Sequence, residues 1–323
     1  MKNITVNILN YENINKEEWD YIAYKFGKDI DSIYDYQEKY LQTGYKVYGI
    51  GAYENGKFIG GLYYALKLNF IFCKILVGGI FALDDRVDVV ELLIKQLKKV
   101  ILFKAPLFNI IIGGVNFKFE GLLQKYFKYS KKIGTIIIDI TKSEDELRKK
   151  LNKGTKWGIN KAKKDGLYCE IVEKNEDWMK AYEIYKEMCI RKELNIHSFD
   201  EFSSLKEIKK LLIIKKENDI IGGSILICFG NSIKLNYNFS KTEYYKSQPN
   251  NLLYWESILF GKENGYSFFD LGGISLEKDD GITIFKRRWG GEEYHYNKYS
   301  TSPIIFNIIP KLGKIKNRLL NRK

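Results

Sequence analysis

Glu54-Asn-Gly-Lys-Phe-Ile-Gly-Gly61, ENGKFIGG, has an echo 163 residues later in Glu217-Asn-Asp-Ile-Ile-Gly-Gly223, ENDIIGG. Each stretch reads as a tight, Asn-containing turn joining two strands. A second echo follows each of the first. FNIIIGGVN at 108–116 and YSFFDLGGIS at 266–275 carry Gly-Gly pairs 159 residues apart. Each member of this second pair is preceded by an amphipathic helical pattern, Val87 to Phe103 and Asn251 to Asn264. Near-equal offsets in the same order predict a duplicated unit. Chance agreement between short Gly-Gly motifs is the competing explanation.

Each unit then reads as a strand, helices, a meander of strands, a helix and a last strand. In the second unit the opening strand is Thr135 to Ile140. Ser143 caps a helix that starts Glu-Asp-Glu and turns basic, as the helix dipole favours. A further helix covers roughly 176–192. The boundary falls within KYSKKIG (128–134), giving domains 1–132 and 133–323. The expected class is α/β, with mixed sheets in two tandem units. This order of elements is similar to that of the acetyltransferase-like (GNAT) unit, a likeness that by itself says little about chemistry.

At 323 residues the chain is comfortable for two domains, and 45% apolar with 29% charged residues marks a folded protein. Apolar runs fall far short of the ~20 residues of a membrane span. The amino terminus lacks the apolar core of a signal peptide. Cys73, Cys169, Cys189 and Cys228 are scattered, without zinc or disulfide spacing, so a reducing cytoplasm is expected. The two histidines, His197 and His295, have no ligand spacing, and no nucleophile elbow or Walker sequence occurs. No metal site and no serine-type triad are therefore expected.

Net charge is +13, which favours an anionic partner or reflects a lysine-rich composition. Its distribution supports the partner. Residues 148–164, RKKLNKGTKWGINKAKK, hold eight cations and no anion, whereas a merely solvated helix usually intersperses Glu. Trp157 in this run is expected to anchor in the core, with stacking on a base as the alternative. The basic tail KLGKIKNRLLNRK (311–323) is expected either to fray into solvent or to lie on the anionic inner face of the membrane. Coenzyme A would need a Gly-rich turn opening the helix after the meander. The first unit has Asp84 and Asp85 there, and the second has Pro249, Asn250 and Asn251.

The sequence from Thr135 onward resembles the Fem family, non-ribosomal peptidyltransferases built from two GNAT-like units. TIIIDITKSEDELRKKLNKGTKWGINKAKKDG is similar to that family's opening of its second unit. FFDLGG (268–273) followed by IFKRRWGG (284–291) is similar to its closing signature. The resemblance implies transfer of an amino acid from aminoacyl-tRNA to an amine of a nucleotide- or lipid-linked cell-wall peptide precursor, with no cofactor. It implies Lys286 beside the reacting carbonyl, Arg191 on the precursor's phosphates and Tyr237 on substrate. Lys156 stands where the family usually has Arg, and Trp289 where it has Phe; Phe285 and Trp289 are read as apolar walls for Lys286. Bland readings stand beside these: a Lys286 stem covering core, an Arg191–Glu187 ion pair, Tyr237 as a strand aromatic. Asp270 is expected to orient a substrate amine or to close the strand end, the latter preferred. Between Asn195 and Leu211 one short helix fits, so no coiled-coil arm is expected, and the protein is expected to be a monomer. The rival within the superfamily is an acyl-CoA-dependent N-acyltransferase acting on an amino sugar or surface polysaccharide. From a different class, the rival is a non-catalytic scaffold binding RNA or membrane.

Overall fold

The computed structural model describes residues 3–27, 30–69, 72–114, 118–278 and 280–307, so the 311–323 tail lies outside the described residues. The described residues form two compact units, one up to 133 with 295–307, and one of 134–294.

In unit 1, β1 (Ile4–Asn10), α1 (Lys16–Phe26) and α2 (Glu38–Gln42) precede the meander β2 (Lys46–Glu54), β3 (Lys57–Asn69) and β4 (Phe72–Ala82). Then come α3 (Val87–Lys104), β5 (Asn109–Ile112) and α4 (Glu120–Tyr126). The β2–β3 hairpin turns on Asn55 (φ 51°) and Gly56 (φ 80°). A two-residue turn with positive φ at both positions matches the twist of the flanking strands. β1 to β4 pair antiparallel in sequence order, and β4 pairs parallel with β5.

The second unit opens with β6 (Tyr129–Asp139), α5 (Glu144–Lys150), α6 (Lys153–Lys164) and β7 (Leu167–Val172). α7 (Asn175–Arg191) and α8 (Phe199–Ser203) lead into β8 (Lys209–Lys216), β9 (Asp219–Phe229) and β10 (Ser232–Ser240). The five-residue α8 is the one helix between α7 and β8, so no arm is inserted there. α9 (Pro249–Glu263), β11 (Phe268–Ile274) and α10 (Gly281–Arg287) complete this unit. Its sheet runs β6-β11-β10-β9-β8-β7, with only the β10–β11 pair parallel. β9 is buried from Ile220 to Cys228, which is why its sequence is apolar but for Ser224 instead of alternating.

β12 (Glu292–Ser300) and α11 (Ile304–Asn307) follow. Lys298 and Tyr299 of β12 pair antiparallel with Ile112 and Ile111 of β5. The sheet of unit 1 thus takes its sixth strand from residues 295–300, whereas the sequence reading places everything from 133 onward in the second domain. A second difference concerns the basic run, read as one helix. It breaks between α5 and α6, where Leu151 turns extended (ψ 142°) to bury its side chain and the Asn152 side chain caps Gly154 N.

Two cores fill unit 2. Ile136, Ile138, Ile159, Leu252, Trp255 and Phe269 belong to one, and Trp178, Tyr185, Phe202 and Phe239 to the other. Gly222 lies where β9 and β10 approach closely; a Cβ there would sit 2.5 Å from the Phe239 carbonyl oxygen. Gly222→Ala is expected to lower stability by about 1–3 kcal/mol through overpacking, read as a reduced Tm with an unchanged circular-dichroism spectrum.

Candidate active site

The cluster around Lys286 begins with a separation of two strands. β10 and β11 pair only from Ser232↔Phe268 to Lys234↔Asp270. Beyond that point both depart from regular pairing: β10 shifts register against β9 between Leu235 and Tyr237, and β11 shifts against β6 between Asp270 and Gly273. Bulges of this kind re-aim side chains and free backbone groups from the ladder.

Asp270 closes the β11 bulge. Its Oδ1 accepts from the Thr135 hydroxyl of β6 and, at 2.8 Å, from the backbone N–H of Gly272. Gly272 takes φ 78°, a left-handed conformation that costs glycine little. A Cβ on it would meet the Leu235 carbonyl at 3.2 Å and the Lys286 ammonium at 3.4 Å. The carbonyl of Gly273, past the end of the β10–β11 pairing, accepts from Lys286 Nζ at 2.8 Å.

α10 presents Lys286 to this bulge. Asp280 caps the helix by accepting from Thr283 N at 2.7 Å. Thr283 and Lys286, three apart and therefore on one face, are the two buried residues of the helix. The Thr283 hydroxyl accepts from Ser275 N at 2.9 Å. Of the three successive cations, only Lys286 points inward; Arg287 pairs with Glu293 and Arg288 is exposed. Phe285 meets Tyr254 of α9 edge-on at 5.0 Å, and Trp289 stacks on the same ring at 5.3 Å. These aromatics therefore clamp α10 onto α9 through Tyr254, a residue the sequence did not single out.

Lys286 is 8% exposed. Burial pushes its ammonium down to about 8, against the opposing attraction of Asp270 and Asp280 and with the help of Lys234. At neutral pH it is mainly a desolvated cation with one backbone acceptor.

Arg191 ends α7, where its Nη2 donates to the Tyr245 hydroxyl at 2.6 Å and its guanidinium lies 5.6 Å from that ring. Tyr237, just past the β10 bulge, packs its ring against Tyr185 of α7 at 5.1 Å and His197 at 5.7 Å. Glu201 fixes the His197 ring through Nδ1 at 2.6 Å. The structure thus groups Lys286 with Asp270, and Tyr237 with His197, along β10. Lys156 is half-buried and donates to the Lys149 carbonyl at 3.2 Å, satisfying one of the free carbonyls at the end of α5. Trp157 is not the expected core anchor: it is 58% exposed.

A polar network was also missed by sequence reading. Asn250, at the start of α9, accepts through Oδ1 from Asn238 Nδ2 at 2.8 Å and from the Ser240 hydroxyl at 2.9 Å. Ser224 donates to Asn238 Oδ1 at 2.7 Å. In unit 1 the matching helix start is acidic: Asp84 and Asp85 precede it, and Arg86 is held by Glu54 and Asp88.

Residues 201–297 match the FemAB family. A lipid II:glycine glycyltransferase of Staphylococcus epidermidis is 26% identical over 129 residues, 38% of this chain and 30% of the relative. Its counterpart in Staphylococcus saprophyticus is 29% identical over 115 residues, 32% of this chain and 28% of the relative. The aligned segments thus span less than a third of these relatives' length. Among solved structures, a crystal structure of FemX superposes with a TM-score of 0.74 at 16% identity, covering 94% of this chain and 99% of that one. L-PGS from Bacillus licheniformis superposes with a TM-score of 0.63 at 14% identity, covering 96% and 97%.

The depressed Lys286 fixes a sign. Between about pH 8 and 10.5 the unfolded chain holds a proton that the folded one has lost, so this group makes stability rise with pH through that window. Denaturation from pH 7 to 10.5 should show a rise of roughly 2–4 kcal/mol relative to Lys286→Met. Asp270→Asn, which removes a stabilising charge, should extend the lower edge of the window to lower pH.

Proposed function

Proceeding from the FemAB-family match of residues 201–297, we propose that the protein is an aminoacyltransferase. It moves an amino acid from aminoacyl-tRNA to an amine of a cell-wall peptide precursor. The observation that carries this reading is the buried Lys286 cation at the β11 bulge, inside the matched segment. The glycyltransferase names of the curated relatives support the reaction class. Their naming of lipid II supports a lipid-linked acceptor over a nucleotide-linked one. A lipid-linked acceptor brings the protein to the inner face of the membrane as a peripheral visitor. Among the described residues no helix is long and apolar enough to cross a membrane.

The chemistry needs little from the chain. The acceptor nitrogen attacks the ester carbonyl of the charged RNA, and a C–N bond forms as the C–O bond to the ribose breaks. The proton lost by the amine ends on the ribose oxygen. Negative charge develops on the carbonyl oxygen in between. A desolvated ammonium held at a fixed point stabilises that charge without reorganising, an effect worth a few kcal/mol of barrier. Lysine suits this role as a compact charge, whereas the guanidinium of Arg191 suits two-point contact with a diphosphate. Tyr237 and the Asp270-stabilised bulge position the acceptor, with Phe285 and Trp289 holding α10 in register. Lys156 belongs to the basic face that meets the donor.

The test is incubation with charged tRNA and either lipid II or a nucleotide-linked pentapeptide, followed by mass measurement of the product. A gain of one aminoacyl residue is expected. Transfer from an acyl-CoA but not from charged tRNA would replace this reading with the rival one. Lys286→Met is expected to keep its fold and lose about 10²–10³ in kcat. In the wild type, kcat should fall as pH rises through about 8, where the ammonium deprotonates. Turnover unchanged in Lys286→Met would remove this residue from the mechanism.

A further inference from the structure

α6 has two unlike faces. Thr155, Gly158, Ile159 and Ala162 are buried. At 3.6 residues per turn, Lys153, Trp157, Asn160 and Lys164 fall on the opposite side, and all four are exposed. The 58% exposure of Trp157 stands alone: Trp19, Trp178, Trp255 and Trp289, the other four tryptophans, are at most 1% exposed.

The charge around this indole is one-sided. No acidic residue occurs from 148 to 164. Within the run, Lys161 is paired with Asp165 at 2.6 Å and Lys163 with Glu256 at 2.9 Å. Arg148 donates to Asn160 at 2.6 Å and lies 5.9 Å from the Trp255 ring. Lys149, Lys150, Lys153 and Lys164 are exposed and make no ion pair among the described residues. An indole flanked by unpaired lysines offers a π-face for a base and cations for the phosphates on either side of it. A helix lying on lipid would instead show an apolar stripe. Here the exposed positions of α6 besides Trp157 are Lys, Gly and Asn.

This face is also tied to the catalytic helix. Asn152 N, at the start of α6, donates to the Arg288 carbonyl at 2.9 Å, two residues beyond Lys286. Gly290 packs so closely on the end of α5 that a Cβ there would lie 2.7 Å from the Lys150 carbonyl oxygen. Trp157 is five residues along α6 from that junction, about 8 Å of helix axis.

We infer that the face formed by Lys153, Trp157 and Lys164, with Lys149 and Lys150, is the surface that grips the RNA of the donor. An unpaired base stacks on Trp157 and the lysines meet the phosphates beside it. This assignment rests on the aminoacyl-tRNA reading and gives the donor a place running toward the end of α10.

The experiment uses the full chain and deacylated tRNA, with no acceptor present. Because the other indoles are buried, acrylamide quenching of tryptophan fluorescence reports chiefly on Trp157, and tRNA is expected to shield it. Trp157→Ala should weaken tRNA binding about tenfold. Lys153→Gln combined with Lys164→Gln should reduce the slope of log affinity against log salt by about two. Wild-type binding that neither substitution changes would overturn the surface while leaving the donor reading intact. Absence of any tRNA binding by the wild type would overturn both. Shielding of Trp157 by phosphatidylglycerol vesicles and not by tRNA would assign the face to the membrane and overturn the inference.

Discussion

A single desolvated ammonium organises the second unit. Lys286 is held out of water by α10 and satisfied by the Gly273 carbonyl, at the point where β11 has stopped pairing with β10 and has shifted its register against β6. Three residues of the Asp-Leu-Gly-Gly stretch then have a physical reason. Asp270 ties the bulge to β6 and to its own backbone, Gly272 supplies the left-handed turn without a side chain beside the ammonium, and Gly273 turns its carbonyl to the lysine. A buried cation with one backbone partner is costly, and a fold retains one where electrostatics are used.

The two units show what duplication kept and what it lost. Strand order β1-β2-β3-β4-β5-β12 in one corresponds to β7-β8-β9-β10-β11-β6 in the other. By the 159-residue offset, Asp270 corresponds to Ile111, a fully buried core residue. The helix start that precedes it is occupied in unit 1 by Arg86 and its two carboxylate partners. Sheet architecture survives such changes because burial is indifferent to which apolar side chain fills a site. A polar site does not survive them, since every group in it needs a partner.

Much of the fold was legible, and the reason differs by element. The repeated turns at 55–56 and 217–218 carried their own backbone signal. α3, α7 and α9 were visible within two residues of their ends, because an amphipathic or strongly apolar period persists over 15 residues or more. β6 begins six residues earlier than expected, at Tyr129, because its first residues are exposed and polar. The split between α5 and α6 was signalled by Leu151-Asn152, a cap hidden inside a run of lysines. Contacts between distant residues left no local trace: Thr135 with Asp270, and the strand that 295–300 lends to unit 1. Trp157 was misjudged because the period of α6 places it opposite the buried positions, a fact available only once the start of that helix is known. No signal in composition could have supplied it.

The borrowed sixth strand has a consequence for biosynthesis. Unit 1 begins the chain, yet Ile111 and Ile112 wait for Tyr299 and Lys298, nearly 190 positions downstream. Among the described residues the other unit is continuous from 134 to 294 and can mature as it emerges from the ribosome. At about 5–20 residues per second, the earlier half spends roughly 10–40 s with an open β5 edge. Vectorial synthesis thus completes the amino-terminal half last, and a chaperone covering nascent strand edges would find its client there.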